Sequence, residues 1–379
     1  MSRTQVILGG RIAIIILLFS SHLTMAQAIP LTKENWKIVD NANNQPLDFF
    51  TTTYKEKEAL HLGRHEIVTL EGKTYQNFVL EMDIAGKAMP GIGFHAKDLY
   101  DYEFFYTRVF SGGKEDALQY TPVYNAALPW QLYNEPIYET KAMFQPEEWF
   151  HLRIEVFDKK MRVFVNDEKS PNMEVELLQE ETKDGFIFFK TSFAEAYFAN
   201  IEVGLLNEPF PIKEVENPYT YLEEWQISEQ LEGNIHSQRQ YYRWLNDAEK
   251  NHSWKDIQAD KNGIVNLAQY YEHPKESIFA KTNLVSSEDK EVTLAFDYTQ
   301  VLLIVLNDQL LFHGRELDSH NFMRMMDGEE KIKLQLKKGD NKLVFWVRSD
   351  DEWQDEVGNP AYLGRKQAMN WGFIARLEE

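Results

Sequence analysis

The stretch that decides the fold class is PEEWFHLRIEVFDKKMRVFVND, residues 146–167. Apolar and polar side chains alternate through its first half, with apolar residues at Phe150, Leu152, Ile154 and Val156. A period of two places one set of side chains in a core and the other on a wet or lightly covered face. A charged turn at residues 158–160 then leads into a second strand-like run, residues 161–166. The stretch therefore predicts a β-hairpin.

The same period extends outward in both directions. Residues 78–84 alternate before the hairpin, and residues 186–190 and 197–203 form strand-like runs after it. Many short strands separated by turn signals favour an antiparallel sandwich over alternating β and α units. We therefore assign residues 29–207 to a first β-sandwich.

A second set of strands follows three closely spaced prolines, Pro209, Pro211 and Pro218, which indicate a stiff connection at residues 208–221. Ser237 is a candidate cap for a short helix through Lys250. The run VLLIVLNDQLLFHG, residues 301–314, predicts a hairpin whose first strand is buried on both faces. The sequence thus predicts an all-β fold of two tandem antiparallel β-sandwiches (jelly rolls), the second at residues 222–379.

Charge and composition exclude several classes of partner. The 379 residues include 40 Lys and Arg and 60 Asp and Glu, a formal net charge of −20, and no Cys. Such an acidic chain is expected to bind neither nucleic acid nor an anionic membrane. Without Cys it gains nothing from an oxidising compartment, so large packed cores must hold it together.

The first 28 residues have the pattern of an export signal. Arg3 and Arg11 flank a short apolar run, and Ala26-Gln27-Ala28 provides a small-residue cleavage site. An uncleaved membrane anchor is the alternative, although the apolar run is too short to span a bilayer. No later apolar stretch is long enough to do so. We expect a bacterial protein that is exported to the periplasm or the medium.

Two family resemblances follow from these strands. Residues 146–167, followed by DGFIFFK and AYFANIEV, resemble the closing strands of the laminin-G-like and concanavalin-A-like lectin/glucanase jelly rolls. Residues 278–314, with IKLQLKKGDNKLVFWV and WGFIARL, resemble the galactose-binding-like jelly roll, an accessory domain of many carbohydrate-active enzymes. The first resemblance implies a fold that carries lectins, glycosidases and protein-binding modules alike.

Residues 91–138 are rich in aromatic residues and hold the candidate binding site. After Ser111-Gly112-Gly113 no clear period is visible before Trp149, which predicts a long functional loop. Its aromatic and amide side chains suit the apolar face and the hydroxyl groups of a sugar. Arg108 is in phase with Tyr102 and Tyr106, and an arginine fork can hold two hydroxyls. The candidate ligand-binding residues are His95, Tyr102, Tyr106, Arg108, Gln119, Tyr120, Tyr124, Asn125, Trp130, Gln131 and Tyr133. The alternative is an aromatic loop that only packs over a sheet.

Catalytic and metal motifs are incomplete. A concanavalin-like glucanase would need a third carboxylate after Glu81 and Asp83, and the sequence has Ala85 and Gly86 there. No catalytic residue, metal ligand or cofactor is therefore assigned. Asp98 and Asp101 lie in a turn. Their carboxylates either bind a structural Ca²⁺ or are solvated.

Together these patterns favour an exported protein that recognises a glycan or polysaccharide without catalysis of its own. One alternative is a glycoside hydrolase or related carbohydrate-active enzyme with an unfamiliar set of catalytic residues. A second alternative is a structural or protein-interaction module.

The signal predicts cleavage after Ala28, which would leave a mature chain that begins at Ile29. Intact-mass analysis of protein recovered from the cell envelope or the medium measures this directly. A mass that still includes residues 1–28 would contradict the prediction.

Overall fold

Antiparallel strands in four sheets form two sandwiches. The computed structural model describes residues 26–40, 43–166, 169–179, 184–213, 219–271, 276–316, 324–349 and 371–378. Within these ranges every pair of neighbouring strands is antiparallel, and the chain has a single α-helix. The all-β prediction is confirmed.

The first sandwich contains sixteen strands. They are β1 Gln27–Ala28, β2 Trp36–Asp40, β3 Pro46–Leu47, β4 Thr51–Tyr54, β5 Lys57–Leu62, β6 Glu66–Leu70, β7 Phe78–Gly86, β8 Gly91–Ala96, β9 Tyr102–Thr107, β10 Leu118–Val123, β11 Glu139–Thr140, β12 Phe150–Phe157, β13 Lys160–Val165, β14 Met173–Glu176, β15 Phe186–Lys190 and β16 Ala196–Leu205. Sheet A has the order β14-β13-β12-β7-β16-β5-β4, with β1 paired to β16. Sheet B has the order β11-β10-β9-β8-β15-β6-β2-β3.

Alternation along the strands decides which side chains form the first core. On β7, Leu80, Met82 and Ile84 face sheet B and are fully buried, whereas Glu81 and Asp83 lie on the outer face of sheet A. Burial of apolar side chains from both sheets supplies most of the stabilisation of such a fold. The predicted hairpin is β12–β13, with Phe157 opposite Lys160.

The second sandwich contains the remaining strands. They are β17 Glu224–Ser228, β18 Leu231–Glu232, β19 Trp254–Gln258, β20 Ile264–Asn266, β21 Glu276–Ser286, β22 Lys290–Tyr298, β23 Gln300–Leu306, β24 Gln309–Glu316, β25 Glu330–Leu336, β26 Gly339–Arg348 and β27 Gly372–Glu378. Sheet C has the order β19-β17-β21-β26-β23-β24, with β18 paired to β21. Sheet D has the order β20-β27-β22-β25.

Helix α1, Gln238–Asn251, covers the outer face of sheet C. Ser237 caps it as predicted, because its side chain accepts a hydrogen bond from the backbone N–H of Gln240 at 3.2 Å. Tyr241 and Leu245 of the helix pack against a buried apolar cluster of sheet C. Strand β23 is consequently buried on both faces along its whole length, which confirms the interpretation of its unbroken apolar sequence.

The two sandwiches meet over a broad contact. Ile264, Met325 and Ile374 of the second sandwich belong to the buried apolar cluster of the first. Hydrogen bonds also cross the junction, from Asn262 Nδ2 to the Tyr138 hydroxyl at 2.5 Å and from Asn125 Nδ2 to the Ala268 carbonyl at 2.9 Å. The sequence predicted two separate domains but not this shared surface.

The expected export signal lies mostly outside the described residues. Gln27 and Ala28 form β1, which pairs with Val203 and Glu202 of β16. Among the described residues no helix is long and apolar enough to cross a membrane.

Separate expression of residues 29–207 and 222–379 tests how far the junction stabilises each half. Each fragment should fold, because each has its own core, but it should melt at a lower temperature than the full chain since the junction is lost. Differential scanning calorimetry measures both transitions. Equal melting temperatures for fragments and full chain would show that the junction adds no stability, and failure of both fragments to fold would contradict the predicted boundary.

Candidate functional site

Most of the aromatic segment, residues 91–138, is buried, and only its later part contacts the second sandwich. The stretch expected to be a loop contains two strands, β10 and β11, which extend sheet B. Beyond β10 the chain packs against the second sandwich, where the Met325 N–H donates to the Gln131 carbonyl at 2.9 Å. The expectation of one long irregular loop was therefore wrong for residues 118–123 and 139–140.

The predicted common face of β9 is present but covered. Tyr102, Phe104 and Tyr106 share the outer face of sheet B and pack together in a buried cluster with Phe188. Glycines on β8 make room for these rings, because a Cβ at Gly93 would lie 2.1 Å from the Phe188 ring. The pKa of Tyr106 is raised to about 12 by burial. These tyrosines do not offer an exposed ring face to a ligand.

Arg108 is held by protein groups rather than left open for a sugar. Its Nη1 donates to the Glu139 carboxylate at 3.0 Å and to the Asp116 carbonyl at 2.9 Å. Its Nη2 donates to the Tyr106 hydroxyl at 3.0 Å and to Gln119 Oε1. Since the guanidinium already has four acceptors, its role in this structure is to hold the segment in place.

Gln119 and Tyr120 point to opposite faces of sheet B because they are neighbours on β10. The Gln119 amide donates to the carbonyls of Trp130 and Tyr133 at 2.9 and 2.8 Å. The Tyr120 hydroxyl lies in the core of the first sandwich, 2.6 Å from Glu103. Burial raises the pKa of Glu103 to about 7, against the hydrogen bonds from Tyr120 and Gln179 that lower it. These two predicted site residues are therefore not brought together.

The other predicted residues divide into buried and partly exposed groups. His95 is buried against the Gln76 carbonyl at 2.7 Å, and Tyr133 is buried in the junction, 3.3 Å from Asn266. Gln131 is fully buried, and among the described residues neither polar atom of its side chain has a hydrogen-bond partner. Tyr124, Asn125 and Trp130 are the predicted contacts that keep partial exposure.

The turn that was considered for Ca²⁺ is closed by its own hydrogen bonds. Asp98 Oδ1 accepts from the backbone N–H groups of Tyr100 and Asp101 at 2.7 and 2.9 Å. Asp101 accepts from the Asn125 N–H at 3.1 Å. In the part of the chain that the structure describes, no three His, Asp or Glu side chains are grouped as metal ligands.

An aromatic surface that the sequence reading missed lies on the outer face of sheet A. Tyr197 of β16 stacks on Tyr54 of β4, with ring centroids 3.9 Å apart, and on His61 of β5 at 4.8 Å. Trp149 contacts the edge of Tyr54 at 5.7 Å. All four side chains are partly exposed. The sequence does contain one indication of this surface. Tyr197 and His61 occupy outward-facing positions on strands whose inward-facing residues are apolar.

Charged and amide groups border these rings. Asp83 accepts hydrogen bonds from Lys57 at 2.7 Å, His151 Nδ1 at 3.0 Å and Asn200 at 2.6 Å. His151 Nε2 is 3.6 Å from Glu81 Oε2. We call the surface formed by these rings and polar groups the sheet A surface. It comprises Tyr54, Lys57, His61, Glu81, Asp83, Trp149, His151, Tyr197 and Asn200.

The electrostatics of the sheet A surface keep Asp83 ionised. Partial burial alone would raise its pKa, but hydrogen bonds from His151, Lys57 and Asn200 hold the pKa well below its usual range. An ionised carboxylate can only accept, so His151 Nδ1 carries the proton in this contact. The incomplete glucanase pattern lies on this same face, and Ala85 follows Glu81 and Asp83 along β7.

Comparison with known proteins connects the first sandwich to carbohydrates. Residues 31–204 match a family model described as a 3-keto-alpha-glucoside-1,2-lyase-like domain. No curated protein sequence matches the chain. The first sandwich is thus a carbohydrate-related β-sandwich, whereas the finer laminin-G-like and galactose-binding-like assignments remain predictions.

Several solved structures are similar to somewhat less than half of the chain. A carbohydrate-binding module (CBM66) from Bacillus subtilis has a TM-score of 0.34 and 15% identity, covering 45% of this chain and 95% of its own. Domain 4 of an extracellular arabinanase from Geobacillus stearothermophilus, in complex with arabinotriose, has a TM-score of 0.32 and 12% identity over 45% and 84%. A Bacillus subtilis protein of unknown function with a galectin-like fold has a TM-score of 0.33 and 10% identity over 48% and 98%.

The Asp83 hydrogen bonds predict a pH-dependent contribution to stability. Because its pKa in the folded chain lies below the unfolded value of about 3.9, ionised Asp83 stabilises the fold above that pH, and the contribution is lost as the pH falls further. Asp83→Asn should lower the free energy of unfolding by about 1 to 3 kcal/mol at pH 7. The difference from wild type should shrink at pH 3.5.

Urea unfolding at both pH values measures this difference. Glu58→Gln on the neighbouring strand β5 is the control, because Glu58 is exposed. A loss for Asp83→Asn that is the same at both pH values would contradict the ionised-state explanation.

Proposed function

We propose that the chain is an exported carbohydrate-recognition protein whose first sandwich binds a glycan on the sheet A surface without catalysing its cleavage. The observation that carries the proposal is the stack of Tyr54, Tyr197 and His61 beside Trp149. Rings that are already ordered offer apolar contact area at little cost in conformational entropy. The match of residues 31–204 to a carbohydrate-related domain supports the choice of a sugar as ligand.

The polar groups of the sheet A surface complement the hydroxyl groups of a sugar. Lys57 and Asn200 carry N–H donors, and Glu81 carries carboxylate acceptors. A sugar hydroxyl both donates and accepts, so it can bond with either kind of group. The Asp83 hydrogen bonds fix Lys57 and Asn200 before a ligand arrives, which favours recognition.

Recognition is favoured over hydrolysis because β7 lacks the third acid of the glucanase pattern, the group that would protonate the leaving group. Glycoside hydrolysis needs a protonated carboxyl group paired with a second carboxylate. Asp83 is held ionised by three hydrogen-bond partners, and Ala85 stands where a third acid would follow. The partly exposed residues of the aromatic segment, Tyr124, Asn125 and Trp130, are proposed as additional contacts for the same class of ligand.

A second candidate function is a lyase that removes a proton next to a ketone. Asp83 orients His151, and an oriented histidine is the usual arrangement of a general base. The family description 3-keto-alpha-glucoside-1,2-lyase-like supports a keto-sugar as the substrate class. Lys57, beside Asp83, carries the positive charge that would stabilise an enolate oxygen.

Tyr197→Ala should weaken glycan binding by about 1 to 3 kcal/mol, because the central ring of the stack is removed. A glycan array with the mature wild-type chain identifies the ligand, and calorimetric titration then compares the variants. Tyr197→Phe keeps the ring and should retain most of the affinity. Phe193→Ala serves as the control, because Phe193 is exposed and its ring contacts His65 rather than the rings of the stack.

Equal affinity in wild type and Tyr197→Ala, with both proteins folded, would show that the glycan does not bind on the sheet A surface. Incubation of the wild type with the bound glycan and its 3-keto derivative, followed by mass spectrometry, separates binding from catalysis. Product that forms with wild type and not with His151→Gln would replace recognition by the lyase function.

A further inference from the structure

A cleft of about 310 Å³ lies between the two sandwiches, away from the sheet A surface. It is lined by Leu132 and residues 134–138 of the first sandwich, by Tyr219 and Tyr221, and by residues of the second sandwich. Clefts between domains are frequent sites for small ligands, and this one is at the small end of their usual size range. Its size suits a single sugar residue or a molecule of similar dimensions.

The walls of the cleft are apolar and aromatic. Ile137 and Ile264 contribute aliphatic surface from the first and second sandwich, and Tyr138, Tyr219 and Tyr221 contribute rings. Tyr219 is 48% exposed, which is high for an aromatic side chain at a domain junction. An exposed ring beside aliphatic walls provides the kind of surface on which the C–H face of a sugar rests.

The rings are held in place before any ligand binds. The Arg376 guanidinium lies 3.6 Å from the centroid of the Tyr219 ring, and Arg376 itself is fixed by Asp327 at 2.9 Å. The Tyr221 hydroxyl donates to Asp327 at 2.8 Å. The Tyr221 ring rests against Gly263, whose φ is +81° and where a Cβ would lie 2.2 Å from the ring. A side chain at position 263 would displace the ring.

The polar groups of the cleft disfavour a negatively charged ligand. Glu135 and Asp327 contribute carboxylates, and Asn134 and Asn262 contribute amides. Asp327 balances Arg376, while Glu135 is exposed at the cleft. A carboxylated or phosphorylated ligand would meet these carboxylates, whereas a neutral hydroxyl group can donate to them.

We propose that the cleft between the sandwiches binds one neutral sugar residue, which rests on Tyr219 and donates hydroxyl hydrogen bonds to Asp327 or Glu135. The choice of a sugar over other neutral hydroxylated molecules rests on the proposed function of the chain. The cleft then supplies a second contact for a glycan, and the second sandwich takes a direct part in recognition.

Saturation-transfer NMR on the mature full chain tests the cleft with glucose, galactose, mannose and glucuronate as separate probes. At least one neutral monosaccharide should bind, and glucuronate should not. Tyr219→Ala should weaken that binding at least about tenfold. Ile137→Trp should also abolish it, because the larger side chain fills the cleft from an already partly buried position.

Tyr270→Ala is the matched control, because Lys255 lies over that ring at 4.7 Å in the second sandwich, outside the cleft. It should leave monosaccharide binding unchanged, with melting curves confirming that every variant is folded. The proposal is overturned if no neutral sugar binds, or if Tyr219→Ala and Ile137→Trp bind as wild type does. Loss of binding with Tyr197→Ala alone would support the sheet A surface and refute the cleft. The experiment therefore tests the two proposed sites independently of each other.

Discussion

The arrangement of the two sandwiches depends on the buried carboxylate of Glu139. Arg108 of the first sandwich donates to it at 3.0 Å, and Arg324, which precedes β25 of the second, donates to both its oxygens at 2.5 and 2.9 Å. Removing one member of such a buried group leaves an uncompensated charge, which costs far more than the group contributes to stability. Arg108 also holds Gln119, which in turn fixes the backbone at Trp130 and Tyr133. One carboxylate therefore joins sheet B, the aromatic segment and the second sandwich.

The sequence carried most of the information about strands and little about the site. Alternation predicted the hairpin of β12 and β13, and the unbroken apolar run predicted that both faces of β23 are covered, because each pattern is local. Arg324 is 185 residues from Glu139, and no local pattern connects them. The common face of Tyr102 and Tyr106 was predicted correctly, but whether that face was open depended on what the rest of the chain placed over it.

Adjacent residues of a strand face opposite sides, and this rule separates Gln119 from Tyr120. Both were expected at one site because β10 was taken for loop. With the strand recognised, Gln119 lies opposite Tyr106 on the outer face and Tyr120 opposite Phe105 on the inner face. The accessible surface lies on sheet A. For its residues the alternating pattern predicts only that they face outward. In this chain, outward tyrosine and histidine positions on half-buried strands indicated the accessible aromatic surface better than the cluster of aromatic residues in an apparent loop.

Strands β16 and β7 are paired at Ala199 and Asp83, and again at Glu202 and Glu81. Between these two pairs β16 has one residue more than β7. Asn200 sits in this bulge with φ of +51° and donates to Asp83. The bulge absorbs the extra residue, so the side chains of β16 before and after it keep facing the same sides of the sheet. A related chain that lost this residue would keep the same sandwich and lose only the amide beside Asp83. The polar groups around Asp83 can therefore change over evolution by the gain or loss of a single residue, at a point where the core is not affected.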